Sequence, residues 1–301
     1  MSQPNYSQLP VFGQGVARIA VCFYGCYRTG DYCLPAYRAL FDRLGIPVDY
    51  FCTVKDVDEY RTSHTVQGVT AQHTSQHITQ RIHDLLDPVA VRVIDQQWES
   101  ENYYRNHATA CGMGEAIMLK QQHEATTGTD YDLVFVTRYD VLPQVNTKLK
   151  TILSRLNRLN WQNLHRIENT VGDTSGQFII TRRDIHNMDH TPLTPFAHDY
   201  FYYGTNHAVN MIGVEILYRG AQHPDAWATF YRLANFHALL DVTCRRLNIP
   251  VITDPDYAVE ATIVRPFSDL NLPSHKLTSW QYHRNVFLGD GKFKRPTDGT
   301  K

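Results

Sequence analysis

The sequence predicts an α/β fold built on strands that are buried on both faces of a parallel sheet. Three observations carry that prediction. Short, nearly continuous apolar runs alternate with helical stretches in the order βαβαβ up to residue 94. The run Tyr131-Asp-Leu-Val-Phe-Val-Thr137, apolar throughout its middle, adds a further strand after a long helical stretch. With 301 residues, 43% hydrophobic and 20% charged, the chain can bury a sizeable core in one large domain or two smaller ones.

Each element follows from its local pattern. Arg18 to Tyr24 (RIAVCFY) lacks the alternation of a half-exposed strand and ends in Gly25, so it reads as a doubly covered strand. Residues 34–44 read as a helix, 48–53 (VDYFCT) as the second strand, 73–86 as a helix and 89–94 as the third strand. A long helix is expected over about 104–124, before the strand at 131–137. Beyond Pro143 the pattern loosens. A helix is expected over 149–159 and strands over 164–168 and 177–181, while 190–205 mixes prolines, aromatics and histidines. From Ala226, Phe230, Leu233, Ala234, His237, Leu240, Cys244 and Leu247 fall on one helical stripe, which places His237 in the core. Strands at 250–253 and 258–264 precede a polar tail. The expected division is an arm at 1–16, a regular half at 17–142, a less regular half of the same domain at 143–288, and the tail at 289–301.

Composition excludes several classes. Lys plus Arg number 29 against 30 Asp plus Glu, so no overall charge draws the chain to nucleic acid or an anionic membrane. No apolar stretch is long enough to span a bilayer, and the first fifteen residues lack the apolar core of a signal peptide; the expectation is a soluble, cytoplasmic protein. The six cysteines include no C-x-x-C pair and read as reduced thiols packed among apolar residues. His64, His73, His77 and His83 occupy a polar stretch without an H-E-x-x-H arrangement, which argues against a dedicated zinc site.

Ligands of open α/β sheets bind beyond the carboxyl ends of the strands, which directs attention to the residues after each one. In Tyr24-Gly-Cys-Tyr-Arg-Thr29, Gly25 permits a sharp turn and Arg28 is placed to take a phosphate bidentately; read alone, the same segment is an ordinary βα turn with a surface arginine. In Thr137-Arg-Tyr-Asp140, Asp140 suits a divalent cation bridging two phosphates and Arg138 suits the diphosphate itself, or the two form a structural ion pair at the sheet rim. Lys120 shares the inward face of Met113 and Ile117 on the long helix, and either meets a ligand or packs its stem and carries its ammonium to solvent.

RIAVCFYGCYRT, VDYFCT and KQQHEATTGTDYDLVFVTRYDV, in that order, resemble the glycosyltransferases of bacterial lipopolysaccharide and capsule clusters, which also occur in viruses. That family shows a first strand ending in G-x-x-R-T, a V-D-x-F strand and a Y-D-x-V-x-x-x-R-x-D strand. The resemblance covers about 17–142, with scattered matches afterwards such as GQFIITRRDI at 176–185. It implies a Rossmann-like GT-A sheet with helices on both faces, binding a nucleotide-sugar donor at its carboxyl edge. Carried over, Gly25, Arg28 and Thr29 line the diphosphate pocket and Thr53 lies near the base or ribose; Lys120 and Arg138, placed by their own positions, join Asp140 on the donor side. Asp140 takes the place of the last carboxylate of a D-x-D motif and so would hold Mn²⁺ or Mg²⁺, but Arg138 stands where the first aspartate belongs. Tyr131-Asp132 precedes the strand and caps it.

The implied activity is sugar transfer to a hydroxyl acceptor, with a surface glycan as the first expectation. A carboxylate base is then needed from the second half. Asp173, in VGDTSG, is the first candidate, although an Asx turn explains it equally. Glu215 and Glu260 sit in apolar surroundings where an acid needs a partner or a function, and His283 is a possible late metal ligand or a surface histidine. Two alternatives stand beside this one. An enzyme that glycosylates modified nucleic-acid bases would share the donor site and could draw on Arg182-Arg183 and Arg245-Arg246; a non-catalytic nucleotide- or carbohydrate-binding protein would explain the missing aspartate. Tyr103, Tyr104, Trp161, Tyr202, Tyr203, Trp227 and Trp280 would serve sugar stacking in each case.

Overall fold

The computed structural model describes residues 16–56, 75–95, 107–143, 149–156, 167–168, 177–184, 196–222, 239–253, 257–259 and 261–263. Along the chain run β1 (Ile19–Tyr24), α1 (Gly30–Asp42), β2 (Val48–Lys55), α2 (Ser75–Leu86), β3 (Ala90–Ile94), α3 (His107–Thr127), β4 (Leu133–Arg138) and β5 (Val141–Pro143). Then follow α4 (Leu149–Leu156), β6 (Ile167–Glu168), β7 (Ile179–Asp184), β8 (Phe196–Thr205), α5 (Asn206–Gln222), α6 (Leu239–Arg246), β9 (Val251–Ile252) and β10 (Ala261–Ile263).

The main sheet has eight strands in the order β3-β2-β1-β4-β8-β7-β9-β6. Its first four are mutually parallel, β8 runs antiparallel to both β4 and β7, β9 is parallel to β7, and β6 is antiparallel to β9. This is a Rossmann-like α/β sheet. Successive residues of its central strands feed two cores. Ile19, Val21 and Phe23 join Phe135 and Tyr203 beneath α1, α2 and α4, whereas Ala20, Cys22 and Tyr24 join Val134, Val136 and Tyr202 beneath α3, α5 and α6. Burial on both faces is why these strands show no alternation in sequence.

α3 and α5 approach closely because each offers a glycine at the crossing. A Cβ on Gly114 would lie 2.7 Å from Leu217, and one on Gly213 would lie 2.6 Å from Ile117. At the amino edge, Asp132 Oδ2 accepts the backbone N–H groups of Ala17 at 2.7 Å and Arg18 at 2.9 Å, so the residue read as a strand cap ties the start of β1 to that of β4.

Three expectations change. α1 begins at Gly30 rather than 34 and contains Pro35, whose missing N–H forfeits only the bond to the Asp31 carbonyl. β2 runs two residues further than predicted, to Lys55. The stretch from 196 to 222, with no element assigned from sequence, is a ten-residue strand followed by a seventeen-residue helix. Tyr200, Phe201, Tyr202 and Tyr203 in that strand are all buried, so its side chains show neither alternation nor an aliphatic run. In the helix expected from 226, the described part is α6, with Leu240 and Cys244 fully buried; His237 lies outside the described residues.

Candidate functional site

The connections from β1 lead outward through β2 to β3, and the chain then returns to the other side of β1 to form β4. The strand order therefore reverses between β1 and β4. With α1 on one face and α3 on the other, the carboxyl ends of these two strands open the crevice where sheets of this type take their ligands.

Tyr24 and Arg138 are partners on the last rung of the β1–β4 ladder. After Tyr24 the chain turns through Gly25 at φ +99°, a value that favours glycine. Three residues later Arg28 adopts φ +45°. Asp87 and Asn248 also have positive φ, but those two follow the ends of α2 and α6, where Asp and Asn accept the left-handed conformation readily. Arg28 has no such role. A strained, non-glycine residue at a strand end persists only where its surroundings over-determine it.

Asp140 supplies that determination. Arg28 Nη1 donates to its Oδ2 at 2.7 Å, while Arg138 donates through Nε to Oδ1 at 2.9 Å and through Nη2 to Oδ2 at 2.6 Å. The carboxylate is 1% exposed, and the Arg28 and Arg138 side chains keep 22% and 13% of their surface in contact with solvent. Burial by itself would raise the pKa of Asp140, but the two guanidinium groups outweigh it and hold the carboxyl below its ordinary value. The guanidinium of Arg138 also lies 4.9 Å above the ring centre of Tyr200. The three charged groups sum to a formal +1.

The remaining expected donor residues are dispersed. Thr29 is 3% exposed, with its hydroxyl 3.8 Å from the Cys33 sulfur. Thr53 is completely buried, and its hydroxyl donates to the Gly112 carbonyl at 2.7 Å, which fastens α3 to β2 instead of reaching a base or ribose. The reason is the longer β2: the edge position falls to Lys55, 9% exposed, whose backbone N–H donates to Gly25 O at 3.2 Å. Lys120 is not at this edge. It lies eight residues beyond Gly112 on α3, about 12 Å along the helix axis, and its Nζ binds Glu124 Oε2 at 2.7 Å and Asn206 Oδ1 near the amino ends of the strands. Burial lowers the pKa of its ammonium, opposed by Cys22 and Glu124.

A divalent cation on Asp140 does not fit these residues. Both carboxylate oxygens already accept guanidinium N–H groups, and a cation at the usual distance of about 2.1 Å would sit against those positive charges. Among the described residues no group of three or more His, Cys, Asp or Glu side chains stands together. The arrangement therefore does not suit Asp140 to the metal-ligand role expected from sequence.

In the second half of the chain, Glu215 is paired with Arg246 at 2.6 Å, between α5 and α6, and Arg245 with Asp241 at 2.8 Å. Arg245 and Arg246, two of the four arginines considered for a nucleic-acid face, are thus engaged with acids. Tyr203 stacks on Phe135 at 4.7 Å and Tyr202 donates to the Met113 sulfur at 3.3 Å, so these two tyrosines are core rather than sugar platforms. None of the six cysteines forms a disulfide, and burial pushes the Cys22 thiol up to about 12. Among the described residues no helix is long and apolar enough to cross a membrane. Asp173, Glu260, His283, Arg182, Arg183, Tyr103, Tyr104, Trp161, Trp227 and Trp280 have side chains outside the described residues. Two contributors were missed in sequence, Lys55 and Tyr200. The continuation of the strand V-D-Y-F-C-T through Val54 to Lys55 carried a signal for the first; nothing local links Tyr200 to Arg138.

No protein-family model matches the chain, and no curated protein matches it in sequence. Among solved structures, the inositol-1-phosphate CTP transferase from T. maritima superposes on 92% of this chain and 99% of its own, with a TM-score of 0.40 and 10% identity. So distant a likeness assigns neither reaction nor substrate.

Proposed function

We propose that the protein is a GT-A-like glycosyltransferase that moves a sugar from a nucleotide-sugar to a hydroxyl acceptor, with a surface glycan as the acceptor class. One observation carries the reading: Arg28 and Arg138 meet at the switch point between β1 and β4. Guanidinium forks match phosphate oxygens bidentately. In the transfer, the acceptor oxygen bonds to the anomeric carbon, the bond from that carbon to the diphosphate breaks, and the hydroxyl proton passes to a carboxylate. Negative charge grows on the departing diphosphate, where fixed cations stabilise it most.

The half at 17–142 binds the donor in this reading, and that at 143–288 selects the acceptor and supplies the base, for which Asp173 is the candidate. The test is a thermal-shift series with nucleoside diphosphates and nucleotide-sugars at millimolar concentration, followed by donor hydrolysis and transfer assays. A raised melting temperature with turnover is expected, and Asp173→Asn should lower turnover by about 10²–10⁴-fold with nucleotide affinity little changed. No shift with any nucleotide defeats the reading; a shift without hydrolysis or transfer would make the protein a binding module.

A further inference from the structure

We propose that the switch point holds a nucleoside diphosphate through guanidinium groups in place of a divalent cation, and that Asp140 is a positioning residue for Arg28 and Arg138 rather than a cation ligand. The inference rests on the reading of this crevice as a nucleotide-sugar site and adds how its charge is balanced.

Three features of the cluster support it. First, Asp140 is 1% exposed and spends both oxygens on the two arginines, so its carboxylate faces inward, toward the protein's own cations. Second, each arginine reaches the cluster by a different route and is aimed by the same anchor: Arg138 extends from the last rung of β4, and Arg28 from a left-handed turn after β1. Without the carboxylate, the two like charges would lose the one anion that both of them bind at a strained turn. Third, Tyr200 covers one face of the Arg138 guanidinium, leaving the plane of the fork as its direction of approach to a ligand. A guanidinium carries five N–H groups in one plane, so a fork can bind a carboxylate along one edge and a phosphate along another. A metal-dependent site has the opposite construction, with carboxylates turned outward toward the phosphates and the cation between them.

The sign of one substitution separates positioning from simple electrostatics. Asp140→Asn removes a negative charge beside an anion site, so Coulomb attraction alone would tighten diphosphate binding. A positioning role requires the reverse, because the two arginines lose the shared anchor that fixes their geometry. The experiment is calorimetric titration of the full chain with UDP, GDP, CDP and ADP in turn, in EDTA and again in Mn²⁺, on the parent protein, Asp140→Asn and Arg138→Lys.

For the nucleotide that binds, the parent affinity should change less than about twofold between EDTA and Mn²⁺. Asp140→Asn should weaken it about tenfold or more in both, with an unliganded melting curve that remains cooperative. Arg138→Lys, which keeps the charge and loses the fork, should weaken it comparably, and reports on the site should Asp140→Asn fail to fold. Binding that requires Mn²⁺ would overturn the inference and leave the nucleotide-sugar reading standing. Unchanged or tighter binding by folded Asp140→Asn would overturn the positioning role. No binding of any diphosphate in either buffer would overturn the reading itself.

Discussion

At the amino ends of β1 and β4, Lys120 meets Glu124 and Asn206, and Arg18 meets Asp49 at 2.7 Å; at the carboxyl ends of the same strands, Arg28 and Arg138 share Asp140. Buried or half-buried cations stand at both places, yet the stoichiometry differs. The amino end offers Asp49, Glu124, Asp130 and Asp132 to two cations, and its amides join the same network: Asn206 Nδ2 donates to Glu124 at 2.6 Å and to Asp130 at 2.9 Å. The carboxyl end offers one carboxylate to two guanidiniums, on a backbone held at positive φ. Excess acid around a cation makes a clasp between α3, α5 and β4. One acid shared by two guanidiniums at the strand ends is the arrangement on which the proposed anion site rests.

The largest effect should come from dismantling the clasp. Lys120 is fully buried, and Lys120→Ala leaves Glu124 and Asn206 without their shared donor, a change of the kind that costs about 3–5 kcal/mol in a buried pair. Urea denaturation should show that loss, while folded Lys120→Ala should bind nucleoside diphosphate as the parent does. Weakened nucleotide binding with normal stability would return Lys120 to the donor site.

Arg28→Ala should show the converse. It removes a charge-assisted contact to the diphosphate, worth about 1.5–3 kcal/mol of binding, while Arg138 continues to satisfy Asp140. The check is the ratio of effects: a tenfold or larger loss of affinity with a melting temperature shifted by only a few degrees. Equal losses at both readouts would make the carboxyl-end cluster a second clasp.

Acid should also distinguish the two ends. The carboxyl of Asp140 is held below its ordinary value of 3.8, so the folded state releases its proton more readily than the unfolded chain. That contribution is fully present above 3.8 and is lost as the pH falls through the lower native value. Asp140→Asn should therefore flatten the loss of stability below about pH 4, measured by thermal unfolding across pH 2–6. An unaltered slope would mean that the arginines do not stabilise the ionised form.

How far these two ends could be read from sequence depends on how local the information is. The four parallel strands were legible because each is a short, largely apolar run, and the carboxyl edge drew attention because G-C-Y-R-T and T-R-Y-D lie at the ends of two of them. Lys120 was placed on the correct, inward face of its helix but at the wrong end of the sheet; facing follows from helical period, whereas height along the helix depends on where α3 docks, fixed by Thr53 on Gly112. Tyr200 and Asn206 were invisible for a further reason. They enter from β8 and α5, more than sixty residues beyond Arg138 in sequence, through a strand whose aromatic, doubly buried pattern has no simple period.

Glu215 should give the smallest effect, and it bears on where the base of the proposed transfer resides. Its carboxylate pairs with Arg246, a side chain 53% exposed, and an ion pair so open to solvent contributes about 0–1 kcal/mol. Glu215→Gln keeps the shape of the side chain and an acceptor oxygen for the guanidinium, so its melting temperature should move by no more than a few degrees and its turnover should stay within about threefold of the parent. The comparison with Asp173→Asn in the same transfer assay is decisive for the acceptor half. A collapse of turnover in Glu215→Gln, with the fold intact, would require the α5–α6 pair to open toward the crevice during the reaction, and would move the base from the loop at Asp173 to the helix layer.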